Sequence, residues 1–167
     1  MTTAEIAAPP APPFATSGLV VREASPSDRA AMAQIVALRR QVFGDEQRMH
    51  DGHFADNDDA RSVQVLAAIG ADAVGVGRLT PKAAGARPTE AQITWVATRA
   101  ELRGRGIGEA VMRVLLAAAD RAGIRLVTLS AQTHALGFYR RLGFVPEGHR
   151  FVVRGIEHQK MVRRTGR

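Results

Sequence analysis

The chain has 167 residues, of which 46% are hydrophobic, and this is the size of one globular domain with a core of its own. It contains no cysteine, which excludes disulfides, thiolate zinc sites and a cysteine nucleophile. The net charge of +7 is uneven, because residues 1–98 carry 9 Lys or Arg against 11 Asp or Glu, whereas residues 99–167 carry 14 against 5. The basic half therefore favours a polyanionic ligand.

The first seventeen residues are rich in Ala and Pro and are predicted to form a disordered or extended tail, since four prolines between positions 9 and 13 prevent a regular helix. They also lack the basic start and the apolar core of a signal peptide. No run of about eighteen apolar residues is present, so no transmembrane helix is expected. These features favour a soluble, cytoplasmic protein in which residues 18–167 form one domain.

The elements predicted in the first half are a strand, a helix and a hairpin. Residues 19–23 resemble a short strand, and Ser25, Ser27 and Asp28 can cap a helix that runs to about Phe43. The polar, acidic segment 44–60 is predicted to be a loop, and long loops in compact domains are often functional. Two β-rich runs, 63–69 and 74–79, flank a short turn that contains Gly70 and predict an antiparallel hairpin.

The second half alternates strands and helices. Residues 92–98 predict a strand that leads directly into a glycine-rich loop, and the clearest amphipathic helix of the sequence then runs from Ile107 to a stop at Gly123. A strand at 124–129, a short helix at 134–142 that stops at Gly143, and closing strands at 151–153 and 156–162 follow. This order predicts the α/β class, with an α+β type of mixed sheet and helices on its faces.

The glycine-rich loop is the strongest functional signal. Its members are Arg103, Gly104, Arg105, Gly106, Ile107 and Gly108. A strand, a glycine turn and a helix in this order expose backbone N–H groups beside the positive end of the helix dipole, which suits a phosphate. The two arginines add charge that a simple connection does not need. The spacing matches neither the dinucleotide fingerprint G-x-G-x-x-G nor a P-loop.

Arg103, Gly106 and Gly108 resemble the R/Q-x-x-G-x-G/A signature of the GNAT superfamily of N-acetyltransferases. The family pattern N-x-x-A-x-x-F/Y-Y-x-x-x-G-F is also met, with Gln in place of Asn, by Gln132, Ala135, Phe138, Tyr139, Gly143 and Phe144. Within the superfamily the chain is similar to the ElaA-like group over about residues 19–162, on stretches that include Leu38-Arg39, Glu46-Gln47, Asp56, Asp59 and Gly77-Arg78-Leu79. It departs from that pattern at Gln64, where a His is expected, and at Trp95, where a basic residue is usual.

The resemblance implies the GNAT acyl-CoA N-acyltransferase fold and acetyl-CoA as co-substrate, and no metal is expected. The residues that it implies for binding acetyl-CoA are Val96, Ala97, Thr98, the six members of the glycine-rich loop, Gln132, Phe138 and Tyr139. Arg141, on the predicted short helix, could reach a coenzyme A phosphate or could face water. It also implies that Tyr139 is the general acid that protonates the departing thiolate, and that a backbone amide near Ala97 or Thr98 polarises the thioester carbonyl.

The general base is left open by the sequence, because the strand at 92–98 has no carboxylate where many family members carry a Glu. Glu46 and His158 are the two candidates, and either could instead be a locally paired residue. An acidic cluster precedes the predicted hairpin and could attract a cationic amine or be a solvated loop. Its members are Asp51, Asp56, Asp58 and Asp59.

The leading hypothesis is an acetyl-CoA-dependent N-acetyltransferase that acts on a small-molecule or protein amine, and the sequence does not specify which. One alternative is a non-catalytic acyl-CoA-binding or sensor protein. A nucleic-acid-binding domain is disfavoured, because the chain has one Trp and one Tyr and its basic residues are not interleaved with stacking aromatics. No membrane partner is expected, and a homodimer is left open.

Overall fold

A computed structural model describes residues 16–50, 52–82 and 87–165. The first fifteen residues of the predicted tail and Asp51 of the acidic cluster lie outside the described residues. The strands are β1 (Leu19–Ala24), β2 (Val63–Ile69), β3 (Asp72–Pro81), β4 (Glu90–Thr98), β5 (Leu126–Gln132), β6 (Val145–Pro146), β7 (Phe151–Val153) and β8 (Ile156–Arg164). The α-helices are α1 (Arg29–Arg39), α2 (Ile107–Arg121) and α3 (Leu136–Arg141).

All of these strands belong to one mixed sheet in the order β1-β2-β3-β4-β5-β8-β6, and β7 pairs with β8. The pair β4 and β5 is parallel, and the other pairs in the described part of the chain are antiparallel. The predicted mixed sheet is confirmed, and the predicted hairpin corresponds to β2 and β3. Strand β6 was not predicted, since two residues are too short to show a period.

Helices cover both faces of the sheet and form two cores. On one face α2 buries Ile107, Val111 and Leu115 against the sheet. On the other face α1 buries Ile35 and Leu38 against inner residues of β2, β3 and β4. Both helices carry apolar residues at three- and four-residue spacing, so burial of these faces provides the main stabilisation of the fold.

The first helix differs from its prediction at its end. Asp28 caps α1 as predicted, because its side chain accepts a hydrogen bond of 3.0 Å from the backbone N–H of Ala31. The helix does not end near Phe43 but continues as a π-helix, Arg40–Glu46, so the predicted loop begins inside a helix. Wide helical turns of this kind often occur at functional sites.

A bulge and a divergence of strands in the centre of the sheet create an opening. Strand β4 pairs with β5 only between Glu90 and Gln92, and beyond that point the two parallel strands have no register pairs in the described structure. On its other side β4 places two residues, Trp95 and Val96, opposite the single residue Gly77 of β3. Trp95 has a φ of 57°, in the left-handed region that side chains rarely adopt. Such bulges bend a strand and frequently lie next to active sites.

Candidate active site

Two cavities meet at the end of β4. The cleft cavity has a volume of about 470 Å³ and lies where β4 and β5 diverge. The loop cavity has a volume of about 430 Å³ and lies at the start of α2. Residues of the cleft cavity include Phe43, Glu46, Trp95, Gln132, Tyr139 and His158. Residues of the loop cavity include Gly104, Gly106, Ile107, Gly108, Phe138 and Arg141, and both cavities share Val96, Ala97, Thr98, Arg103 and Ala135.

The start of α2 presents backbone donors to the loop cavity. Gly106 is the residue that precedes the helix, with a φ of 83°, and as a glycine it provides no side-chain cap. The N–H of Ala110 bonds to the carbonyl of Gly106, so the first-turn amides before Ala110 have no partner within the helix. A Cβ added at Gly106 would meet no described atom within 4 Å. These open amides at a positive helix end fit an anionic phosphate group.

Arg103 connects the two cavities. One of its terminal nitrogens lies 2.6 Å from a carboxylate oxygen of Glu46, and its Nε donates to the carbonyl of Thr98 at 3.1 Å. The ion pair is partly exposed, with 48% of the Arg103 side chain and 31% of the Glu46 side chain accessible. Arg103 is thus held at the mouth of the loop cavity by a residue of the cleft cavity.

Tyr139 lies on α3 and lines the cleft cavity. Its ring packs edge-to-face against Phe138 at 5.0 Å and Phe144 at 6.0 Å between centroids. Burial raises the pKa of Tyr139 to about 12, because the phenolate loses hydration in this environment. The phenol is therefore protonated at neutral pH and can act as a proton donor.

The two candidate bases line the same cavity and have different hydrogen-bond or ion-pair partners. Nδ1 of His158 lies 2.8 Å from the carbonyl oxygen of Ile156, so a neutral imidazole donates its Nδ1–H there and leaves Nε2 as an acceptor. The carboxylate of Glu46 is paired with Arg103. Gln132 stands opposite His158 in the β5 and β8 register, and its side chain donates to Gln47 at 3.0 Å.

A buried ion-pair network lies behind the bulge of β4. Arg39 is fully buried and donates to Asp59 at 3.0 Å, to Gln64 at 2.8 Å and to the carbonyl of Phe54 at 3.0 Å. Arg78 donates to the same carboxylate at 2.9 Å. Burial by itself raises the pKa of Asp59, but the hydrogen bonds and charges of Arg78 and Arg39 outweigh it and lower the pKa below its ordinary value.

This network changes the interpretation of the acidic cluster. Asp59 is buried rather than solvated, and Asp56 lies 2.6 Å from Arg78. Asp58 pairs with Arg61 at 2.7 Å. Each of these three carboxylates therefore has an internal cationic partner. The sequence did not identify the network, because Arg39 and Arg78 are 20 and 19 residues away from Asp59 along the chain. Gln64 occupies the place where a His was expected.

Most of the predicted site residues thus surround the two adjoining cavities. Arg105 is not among the described lining residues of either cavity. Phe43 and Trp95 line the cleft cavity but were not predicted as site residues. Phe43 belongs to Val42-Phe43, a stretch that supports the ElaA-like resemblance, and Trp95 is a departure from the ElaA-like pattern.

A family model described as an acetyltransferase (GNAT) domain matches residues 34–165, which is most of the chain. The chain belongs to the GNAT acetyltransferase domain family. The resemblance found in the sequence is therefore confirmed, and the predicted GNAT fold is confirmed by solved structures as well. GNAT domains catalyse acyl transfer that depends on acyl-CoA, so the protein is an enzyme of this class.

Solved structures with this fold match most of this chain and nearly the whole of their own length. An acyl-CoA N-acyltransferase from Pseudomonas aeruginosa is 26% identical, with a TM-score of 0.77 over 87% of this chain and 99% of that one. Escherichia coli ElaA is 24% identical, with the same TM-score and the same shares of both chains. An aminoglycoside 6′-N-acetyltransferase solved with coenzyme A is 14% identical, with a TM-score of 0.67 over 87% of this chain and 96% of that one.

Within the described residues, no helix has the length and apolar character that crossing a membrane requires. The same part of the chain has no group of three or more His, Asp or Glu side chains placed to hold a metal ion.

Proposed function

We propose that this GNAT domain, residues 18–167, is an N-acetyltransferase that uses acetyl-CoA and transfers the acetyl group to a primary amine of a small molecule. The observation that carries this proposal is the meeting of the two cavities at Val96, Ala97, Thr98 and Arg103. One cavity offers donors that suit a pyrophosphate, and the other can admit an acceptor. Coenzyme A in the related aminoglycoside enzyme supports the choice of ligand.

Acetyl-CoA would bind with its pyrophosphate at the first-turn amides of α2 and its pantetheine arm along the edge of β4 that faces β5. The amides near Gly106 donate to phosphate oxygens, and Arg103 adds a charge-assisted donor. The edge of β4 beyond Gln92 has no strand partner towards β5 in the described structure, which suits pairing with an amide-containing arm. Arg141 lines the loop cavity and provides a further cation for a phosphate.

The chemistry that we propose is direct attack by the amine within the cleft cavity. The chain has no cysteine, so no acyl-cysteine intermediate forms. His158 is the preferred base, because its Nε2 can accept a proton while its Nδ1–H donates to Ile156. The carboxylate of Glu46 is instead held in an ion pair with Arg103. Tyr139 is protonated and faces the same cavity, so it can supply the proton that the departing thiolate requires.

Free-thiol release from acetyl-CoA in the presence of a panel of small primary amines tests the proposed activity. Turnover that depends on the amine is the expected result. Saturable acetyl-CoA binding without thiol release for any amine, at neutral and alkaline pH, would support the non-catalytic acyl-CoA-binding alternative and overturn the proposal.

Calorimetric titration of two matched asparagine variants tests the proposed phosphate site. Gly106 and Gly70 both have left-handed backbones, with φ of 83° and 60°, and open space around an added Cβ, and Asn tolerates this backbone region better than most residues. Gly106→Asn places a side chain where phosphates would bind, so we expect coenzyme A affinity to fall by at least about tenfold. Gly70→Asn lies in the β2–β3 turn and should leave the affinity unchanged. Equal affinities would remove the phosphate assignment.

A further inference from the structure

The part of the cleft cavity away from the glycine-rich loop has an aromatic wall. Trp95 and Phe43 both line this cavity, and their rings meet edge-to-face with centroids 5.1 Å apart. An aromatic pair of this kind provides a large apolar contact surface for a ligand. Trp95 is the single tryptophan of the chain and lies at the bulge of β4, so the distortion that opens the cleft also brings this ring into it.

The buried network holds this wall in place. The guanidinium carbon of Arg39 lies 5.2 Å from the centroid of the Trp95 ring, which is a cation–π contact. Arg39 has no freedom to move away, because Asp59 and Gln64 hold its terminal nitrogens. Arg78, which shares Asp59, donates to Thr94 beside the tryptophan at 3.1 Å. The orientation of Trp95 is therefore preorganised before any ligand binds.

The charges around the cleft cavity do not suit a polycation. Among its described lining residues Glu46 provides the one carboxylate, and that carboxylate is paired with Arg103. The acidic cluster does not compensate, because Asp56, Asp58 and Asp59 are engaged by arginines. A ligand with several ammonium groups would lose hydration in the cavity without gaining carboxylate partners, and such desolvation is costly.

We infer that the acceptor is a monoamine with an aromatic or branched aliphatic body, which packs against Trp95 and Phe43 while its single amino group points towards the junction of the two cavities. This inference rests on the proposed function and specifies its substrate class. A cavity of about 470 Å³ is large enough for such a molecule. Polyamines and aminoglycosides are excluded by the same charge argument.

The test compares kcat/KM across amines that differ in body and charge, with acetyl-CoA as donor and free thiol as readout. The panel contains phenethylamine and isoamylamine as monoamines, and putrescine, spermidine and kanamycin as polycations. We expect kcat/KM for the monoamines to exceed that for the polycations by at least about tenfold. A higher kcat/KM for a polycation would overturn the inference and leave the proposed function standing. No thiol release with any amine would overturn both.

Two variants of Trp95 test whether the wall selects the acceptor. Trp95→Ala should lower kcat/KM for phenethylamine by at least about tenfold while the affinity for coenzyme A is unchanged. Trp95→Phe keeps an aromatic surface and should retain most of the activity. An equal loss for monoamines and polycations in Trp95→Ala would indicate a structural role and contradict the inference.

The fluorescence of Trp95 provides a binding measurement that does not require turnover. Because it is the single tryptophan, its emission reports on the cleft cavity alone. In the presence of coenzyme A, phenethylamine should change this emission with saturation, whereas spermidine at the same concentration should not. Saturable binding of spermidine and none of phenethylamine would overturn the inference.

Discussion

Removing the hydroxyl group of Tyr139 distinguishes the packing role of its ring from a role in proton transfer. Tyr139→Phe keeps the ring contacts with Phe138 and Phe144. If the hydroxyl supplies a proton, kcat should fall by about a hundredfold or more, while the KM for acetyl-CoA stays nearly constant. Steady-state kinetics measure both constants, and an unchanged kcat would remove Tyr139 from the chemistry.

The raised pKa of Tyr139 gives the same variant a stability signature. The folded protein keeps the phenol neutral up to a pKa of about 12, whereas the unfolded chain ionises near pH 10. The contribution of this group to the free energy of unfolding is therefore complete below about pH 10 and is lost as the pH rises towards 12. Urea unfolding should therefore show that the free energy of unfolding falls less steeply above about pH 10 in Tyr139→Phe than in the wild type.

His158 and Glu46 are distinguished by a pair of glutamine substitutions. His158→Gln removes the proposed base, so kcat near neutral pH should fall by about a hundredfold. Glu46→Gln removes the negative partner of Arg103 and should lower kcat by only a few-fold, while coenzyme A binds more tightly because Arg103 is released. Kinetics and calorimetry check the two effects. A large loss of kcat in Glu46→Gln with none in His158→Gln would assign the base to Glu46.

At the residue scale, the sequence predicted positions that belong to contiguous patterns. Arg103, Gly106 and Tyr139 could be named because each belongs to a short motif. Arg39 and Asp59 could not be placed together, since their contact depends on the packing of α1 against the sheet and of the segment before β2. Neither residue carries a local period or spacing that indicates a buried charge.

At the scale of elements, strand and helix types were predictable and the irregularities were not. The residues of 92–98 indicate a strand, but the bulge at Trp95 and Val96 depends on how β4 pairs with β3 on either side of Gly77. Likewise, apolar spacing predicts a helix up to Phe43, whereas the continuation Arg40–Glu46 as a π-helix has no apolar period of its own in the sequence. The cleft cavity is formed by these two irregularities and by the divergence of β4 from β5.

Gly77 allows α2 to approach β3 closely. A Cβ at this position would lie 2.8 Å from Leu115 Cδ1 and 2.8 Å from Val111 Cγ1, and both side chains are fully buried. Gly77→Ala should therefore lower the free energy of unfolding by about 1–3 kcal/mol. Gly137→Ala is the control, because Gly137 is an exposed position of α3 where an added Cβ would meet only an arginine nitrogen at 3.8 Å, and alanine favours helix. Chemical denaturation of both variants measures the difference, and equal stabilities would show that the helix can shift.

At the scale of the whole molecule, the buried network links the elements that lie behind the cleft cavity. It links α1 through Arg39, β2 through Gln64, β3 through Arg78 and β4 through Thr94 to the one carboxylate of Asp59 or its partners. These elements come from distant parts of the sequence, and the network places Trp95 among them. The excess of basic residues in 99–167 suits the proposed binding of coenzyme A, whereas the proposed acceptor site depends on the buried network.

Replacing Asp59 by Asn should therefore destabilise the whole domain. The substitution leaves Arg39 and Arg78 buried beside each other without their shared carboxylate, and breaking a buried pair in this way costs about 3–5 kcal/mol. Asp58→Asn is the matched control, because its pair with Arg61 is about half exposed and such pairs contribute about 1 kcal/mol or less. Urea denaturation at neutral pH should separate the two variants, and similar losses for both would mean that the network carries little of the stability.

The pH dependence of the Asp59→Asn effect has a definite sign. The pKa of Asp59 in the folded protein is lower than its ordinary value of 3.8, so its contribution is complete above that pH and is lost as the pH falls through the folded pKa. The difference in unfolding free energy between wild type and Asp59→Asn should consequently be constant from neutral pH to about pH 5 and should shrink below about pH 4. A difference that grows on acidification would mean that Asp59 is protonated in the native state, and the two arginines would then need another counterion.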